Sequence, residues 1–335
     1  PGDEVIVPAW TMSATAMAPL IYGGIPVFVD IESETFCIDP AAVEAAITPR
    51  TRAILAVNLF GHPAQLARLR RLADERGVFL VEDNAQAPLA AEDGRSAGTI
   101  GHIGIFSLNY HKHIHTGEGG VCVTNDEELA QRLRLIRNHG ENSVEAFGIN
   151  DPINIVGFNF RMTELSAAVG IEQLRRVDEH VRARESIAES LTAACANLDG
   201  LMPPVVRVGC RHNYYAWLLN FDPIAAGIKR STFSAALAAE GFPHATGYLA
   251  PLYRLPLFQK RMAIGRDGWP FSLSDRNYGA IFCHVAERLF AENAILFEPC
   301  AYAIDPSMTD RLCDAIRKVH RHRENLISYD RRNSA

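Results

Sequence analysis

The sequence predicts an α/β fold: a mostly parallel central sheet with helices on both faces, followed by a smaller C-terminal α+β domain. Three observations carry this prediction. Up to about residue 125, short β-branched runs alternate with helical stretches. The runs are apolar throughout, as strands buried between helix layers must be. Beyond residue 200 the alternation gives way to a mixture of strand and helix patterns with no internal repeat. At 335 residues, 48% of them hydrophobic, the chain is long enough to bury two cores. The boundary is expected near residue 200, dividing 1–200 from 201–335.

The elements follow in order. Strands are expected over 4–7, 26–30, 52–59, 78–82, 104–107 and 120–124. Helices are expected between them over 11–22, 40–47 and 63–76, the last carrying Leu66, Leu69, Leu72 and Ala73 at helical spacing. A helix over 126–138 starts with acids and stops at His139-Gly140. Thr163 resembles a cap for a long helix, or helix pair, running to 198. The last third reads as a strand over 214–221, a helix over 231–240 ended by Gly241, and a closing helix over 308–320. In a parallel sheet, sites gather at the carboxyl ends of the strands, so residues just after each strand are the candidates.

Bulk properties exclude several classes. A net charge of −6 argues against nucleic acid and against an anionic membrane surface as partners. No stretch approaches 18 uninterrupted apolar residues, and the first residues carry acid where a secretory signal carries base, so the expected location is cytoplasmic. The seven cysteines form no C-x-x-C pair and read as small buried residues in a reducing compartment. Pro1-Gly2-Asp3 leads straight into the apolar run Val5-Ile6-Val7, as in a chain entered within a domain.

Lysine is scarce. Of 33 Lys and Arg residues only Lys112, Lys229, Lys260 and Lys318 are lysines, which a GC-rich coding composition explains in general. Lys112 is nevertheless the only lysine in the first 228 residues, and it sits in the richest cluster of the chain. The run Val78-Phe79-Leu80-Val81 ends in Glu82-Asp83-Asn84-Ala85-Gln86, Phe106-Ser107 ends the next run, and Lys112 follows in a loop. An acid, a hydroxyl and a lone lysine are the parts needed to hold pyridoxal phosphate. The amine forms a Schiff base with the aldehyde, which arginine cannot do. A carboxylate against the pyridine nitrogen keeps it protonated, and hydroxyl and backbone donors bind the phosphate.

The chain resembles the DegT/DnrJ/EryC1/StrS family of sugar aminotransferases, which share the pyridoxal-phosphate-dependent fold type I of aspartate aminotransferase. The resemblance runs over nearly the whole chain, through the blocks PGDEVIVPAWTMSAT, GGIPVFVDIESETFCID, TRAILAVNLFGHP, VEDNAQA, GTIGHIGIFSLNYHKHIHTGEGG, IRNHG and GFNFRMTELSAAVGIEQL. It implies that Lys112 is the Schiff-base lysine, Asp83 faces the pyridine nitrogen, Gln86 meets the ring hydroxyl and Ser107 binds phosphate. It implies that Asn159 reaches the cofactor phosphate of a neighbouring subunit, hence a homodimer with shared active sites. Met12 stands where the family places an aromatic ring on the cofactor. The family pattern also has a further N-terminal stretch with a Ser-Gly-Thr phosphate turn, so 1–200 is expected to be a large cofactor-binding domain lacking its first part. The implied reaction is transamination of a keto sugar, nucleotide-linked, with an amino acid such as glutamate as donor. Alternatives are a pyridoxal-phosphate-dependent sugar dehydratase, in which histidine replaces the lysine, and a non-catalytic regulatory relative.

Other motifs read as structural. His111, His113 and His115 alternate and in an extended segment form a ladder of metal-ligand type, yet no second cluster completes it and no metal is expected. The glycines of residues 98–104 do not match a phosphate loop and are expected to form a turn. Glu82 and Asp83 face opposite sides of a strand, so only one of them enters the site. Arg161 is read equally as a substrate or interface contact and as a structural arginine.

Overall fold

Why a parallel sheet forms here is visible in the burial of its strands. In β2 (Ile25–Val29) every residue is buried, and in β1 (Glu4–Pro8) all but Val5 are, so neither face tolerates water. The computed structural model describes residues 1–141 and 153–333. In chain order the next strands are β3 (Thr51–Val57), β4 (Phe79–Asp83), the two-residue β5 (Ala91–Glu92) and β6 (Arg95–Ser96), β7 (Ile103–Ser107) and β8 (Gly120–Val123). The central sheet has the order β2-β1-β3-β4-β7-β8, parallel except for β8, which runs antiparallel to β7. Helices α1 (Ala14–Ile21), α2 (Pro40–Ala46) and α3 (Leu66–Arg76) make the crossovers that parallel strands require.

Local chemistry sets the helix ends. Asp39 accepts the Ala41 N–H at 2.8 Å to start α2, and Gly77, in left-handed conformation, stops α3. Asp126 caps α4 (Glu127–Arg137) through the Leu129 N–H, and Thr163 caps α5 (Glu164–Ala194) through the Ser166 N–H. The long helix is a single element of 31 residues. From Val177 onward it buries Val177, Val181, Ile187 and Leu191, while Leu165, Val169 and Leu174 ahead of that point are exposed.

The last third adds β9 (Leu201–Met202), β10 (Cys210–Arg211), β11 (Trp217–Phe221), α6 (Pro223–Ala226), α7 (Arg230–Ala239), β12 (Ala245–Thr246), α8 (Pro256–Gln259), α9 (His284–Arg288), β13 (Ala294–Phe297), α10 (Pro306–Arg321) and α11 (Arg323–Asn333). An antiparallel sheet of order β12-β13-β11-β9 packs with α7 and α10 around Trp217, Phe221, Phe233, Phe297 and Ile316. The expected strand over 214–221 begins only at Trp217. Ahead of it Tyr214 takes a positive φ, and the Asn213 and His212 side chains accept the backbone N–H groups of Tyr215 and Tyr214, so no ladder forms there.

The two parts are joined in several places. The core beneath the central sheet also contains Tyr215, Leu252, Tyr253, Phe258, Tyr278 and Leu296. Strand β10 pairs with β5, and Asp30, just past β2, caps α9 through the N–H groups of Val285 and Ala286. These ties hold the C-terminal segments over the carboxyl ends of the parallel strands.

Candidate active site

Asp83 is the last residue of β4, and its partner on β7 is Ile105. Ser107, two residues further along β7, therefore points to the same face at the same end of the sheet. One Asp83 carboxylate oxygen accepts the Ala85 N–H at 3.0 Å, and the other accepts the Thr15 hydroxyl at 3.2 Å. Burial pushes the carboxyl pKa up, and these two bonds and the charge of Lys112 pull it back.

Lys112 is half-buried in the loop after β7, its backbone N–H donating to the Asn109 carbonyl. The ammonium lies over the ring of Tyr215, 4.8 Å from its centre. Burial lowers the lysine pKa, against the opposing pull of Asp83, Glu298 and Cys300. A desolvated amine beside carboxylates is poised to lose its proton and accept it back.

Gln86 is buried, and its carbonyl oxygen is committed to the Phe60 N–H at 2.6 Å. Its amide nitrogen donates one N–H to the Tyr248 hydroxyl at 3.4 Å, which leaves the second N–H as a donor. Tyr248 and Phe60 in turn pack edge-on against Trp10, whose indole donates to the Leu249 carbonyl at 2.7 Å. The Ser107 hydroxyl is half-buried and accepts the Asn109 N–H at 3.3 Å.

Not every candidate joins this group. Met12 is 55% exposed, and Asn159 is exposed on a segment bridged to Asn138, to which Arg161 also donates at 2.6 Å. In one chain, then, Lys112, Asp83, Gln86 and Ser107 gather, while Asn159 and Met12 face outward. Thr15, Tyr215, Tyr248 and Glu298 belong to the group without having been singled out for it. They lie far in sequence from residues 80–120.

The histidine ladder does not form. His111 is exposed, His113 is buried and contacts Arg184, and His115 is half-buried, because the loop coils instead of extending. Glu82 turns away from the site. Its buried carboxylate accepts the N–H groups of Gly98 at 2.5 Å, Ile100 at 2.7 Å and Gly101, closing the expected turn. Gly104 packs directly under that turn; a Cβ there would lie 2.0 Å from the Gly98 carbonyl oxygen. No helix among the described residues is long and apolar enough to cross a membrane.

The DegT/DnrJ/EryC1/StrS aminotransferase family matches residues 1–279. The chain belongs to this family. It is 37% identical over 340 residues to L-glutamine:2-deoxy-scyllo-inosose aminotransferase of Streptoalloteichus tenebrarius, an alignment covering 97% of this chain and 78% of that protein. Among solved structures, an aminotransferase from Psychrobacter cryohalolentis superposes with a TM-score of 0.83 at 27% identity, covering 97% of this chain and 82% of that one. DesI, solved in the presence of its TDP-sugar product, superposes at 0.78 with 29% identity, covering 98% and 77%. The protein is thus an aminotransferase of the pyridoxal-phosphate-dependent fold, and its cofactor is pyridoxal 5′-phosphate. The donor set fits that cofactor: a desolvated amine, a carboxylate fixed by two hydrogen bonds, an amide with one N–H free and a hydroxyl, all at one sheet end.

Proposed function

We propose that the enzyme moves an amino group from an amino acid such as glutamate onto a keto sugar, nucleotide-linked, in the cytoplasm. The observation that carries this reading is the convergence of Lys112, Asp83 and Gln86 under the aromatic wall of Tyr215 and Tyr248. Relatives support the acceptor class, since one acts on an inosose and another yields a TDP-sugar. The lysine falls five residues after Ser107, which favours transamination over the dehydratase chemistry of histidine-bearing relatives.

Bound pyridoxal phosphate supplies an aldehyde that captures amines and a ring that withdraws electrons from the adjoining carbon. Lys112 is the residue that would hold that aldehyde, and its Nζ, when free, would take up the proton of the donor α-carbon. Burial lowers its pKa, the direction that this work requires. Asp83, oriented by Thr15 and Ala85, would face the ring nitrogen and favour its protonated form. Gln86 would donate its remaining N–H to the ring oxygen, and Ser107 its hydroxyl to the phosphate. Met12 lies at the outer edge as a weak apolar contact.

Asn159 completes the phosphate site of a second copy, so the working form is a homodimer with shared sites. The exposed apolar residues Phe160, Leu165, Val169 and Leu174, close to Asn159 in sequence, support that reading. The division into 1–200 and 201–335 assigns cofactor binding to the first part and the outer wall of the site to the second.

Lys112→Ala tests the assignment. It is expected to abolish the absorbance of the lysine-bound cofactor and to lower transamination by about 10³-fold or more. Retained turnover with the cofactor present would overturn it.

A further inference from the structure

A cavity of about 320 Å³ has a wall that includes His244, Tyr248, Leu296, Glu298 and Tyr302. It adjoins the cofactor group, because Tyr248 also contacts the amide of Gln86 at 3.4 Å. Glu298 stands immediately after β13, and its charge and that of Lys112 act on each other. Two other polar side chains of the wall, His244 and Tyr248, are already engaged. His244 uses one ring nitrogen on the Phe242 carbonyl at 2.8 Å and the other on the Ser234 hydroxyl at 2.7 Å. The ring of Tyr302 stacks on Phe297. The Glu298 carboxylate makes no hydrogen bond or ion pair with another described residue, and no lysine or arginine lines this cavity.

A carboxylate with no hydrogen-bond or ion-pair partner among the described residues, in a cavity that no lysine or arginine lines, sets the chemistry of whatever enters. It accepts hydrogen bonds from an amide or hydroxyl and repels a second carboxylate, which here finds no partner for its own charge. A donor whose α-carbon sits at Lys112 must place its side chain somewhere in this neighbourhood. We infer that Glu298 is a specificity-determining residue, selecting a donor whose side chain ends in an uncharged amide over one ending in a second carboxylate. The inference rests on the aminotransferase reading, since only a bound donor brings a side chain here. It also goes against the simple expectation of glutamate, which carries the second carboxylate.

The test uses the cofactor-loaded protein and its first half-reaction, followed by loss of the lysine-bound cofactor's absorbance with L-glutamine or L-glutamate alone. The wild type is expected to favour glutamine in kcat/KM by at least about tenfold, and Glu298→Gln to lower that ratio at least about tenfold. Glu298→Asp, which keeps the charge, is expected to keep the preference. As a readout independent of turnover, the dissociation constant of glutarate, measured by titration against the absorbance of the lysine-bound cofactor, is expected to fall about tenfold or more in Glu298→Gln. A wild type that prefers glutamate, or a ratio and glutarate constant unmoved by Glu298→Gln, overturns the inference and leaves transamination standing. If neither donor discharges the cofactor, it is the aminotransferase reading that fails, and glutarate binding still judges Glu298.

Discussion

At the scale of single residues, the site depends on charges held in place before any substrate arrives. Asp83 is the clearest case: each of its oxygens already has a protein donor, so its orientation does not depend on the cofactor. A carboxylate so fixed contributes through its charge, and its neutral isostere keeps the shape while losing that charge. Asp83→Asn is therefore expected to fold, to load cofactor more weakly and to lose about 10²–10³-fold in kcat, the usual scale for removing one preorganised electrostatic partner. Rapid-quench measurement of the donor half-reaction checks this, and a kcat within threefold of wild type would sink the role assigned to Asp83. Lys112 differs in kind, because its contribution is nucleophilic and its loss is not graded by charge.

At the scale of elements, the turn over residues 98–101 shows how the same strand end serves stability on one face and chemistry on the other. Glu82 points away from Asp83 and supplies the anion around which three backbone N–H groups converge. Glu82→Ala strips those donors of their acceptor, at about 1–3 kcal/mol for each one left buried. For the two fully buried donors, of Gly98 and Ile100, a loss of roughly 2–6 kcal/mol is expected, read as a lower urea midpoint with little change in slope, while the folded fraction keeps the lysine-bound cofactor spectrum. This division between neighbours was legible in the sequence, since alternation along a strand follows from backbone geometry alone. The main strands were legible for a related reason: buried on both faces, they appear as unbroken apolar runs. Strand β13 was not, because Ala294–Phe297 is a four-residue run following directly on a helical turn, with no turn residue to mark its start. The two-residue strands β5, β6 and β10 carry no periodicity at all. The site divides along the same line. Asp83, Gln86, Ser107 and Lys112 were found because they fall within thirty residues of one another, whereas Thr15, Tyr215, Tyr248 and Glu298 reach the site only through packing between distant segments.

At the scale of the whole molecule, the seam between the parallel sheet and the C-terminal segments is lined with histidines that the fold keeps neutral. His62, after β3, has its Nδ1 on the Pro63 carbonyl at 2.8 Å, and its Nε2 accepts the Arg207 N–H at 3.2 Å. A second proton on Nε2 would break that bond and set a charge against Arg207, and with burial this lowers its pKa to about 4. His212 packs 5.5 Å from it, and burial with the neighbouring His62 drives its pKa well down; in His113, burial and Arg184 lower it to about 3. In the unfolded chain these groups titrate near 6.5, so between there and the folded pKa values the unfolded state binds more protons. Their stabilisation is complete above pH 6.5 and is lost as pH falls toward 4, with a slope of at most about 1.4 kcal/mol per pH unit for each group. Carboxyls whose pKa burial raises, Glu82, Asp83 and Glu298, act in the opposite sense, since protonation relieves them. Subtracting a variant that cannot titrate separates the two. His62→Gln is expected to be less stable than wild type at pH 7.5, and the gap is expected to narrow steadily from pH 6.5 to 4. Urea midpoints across that range measure it; a gap independent of pH would mean that His62 is not held neutral by the seam.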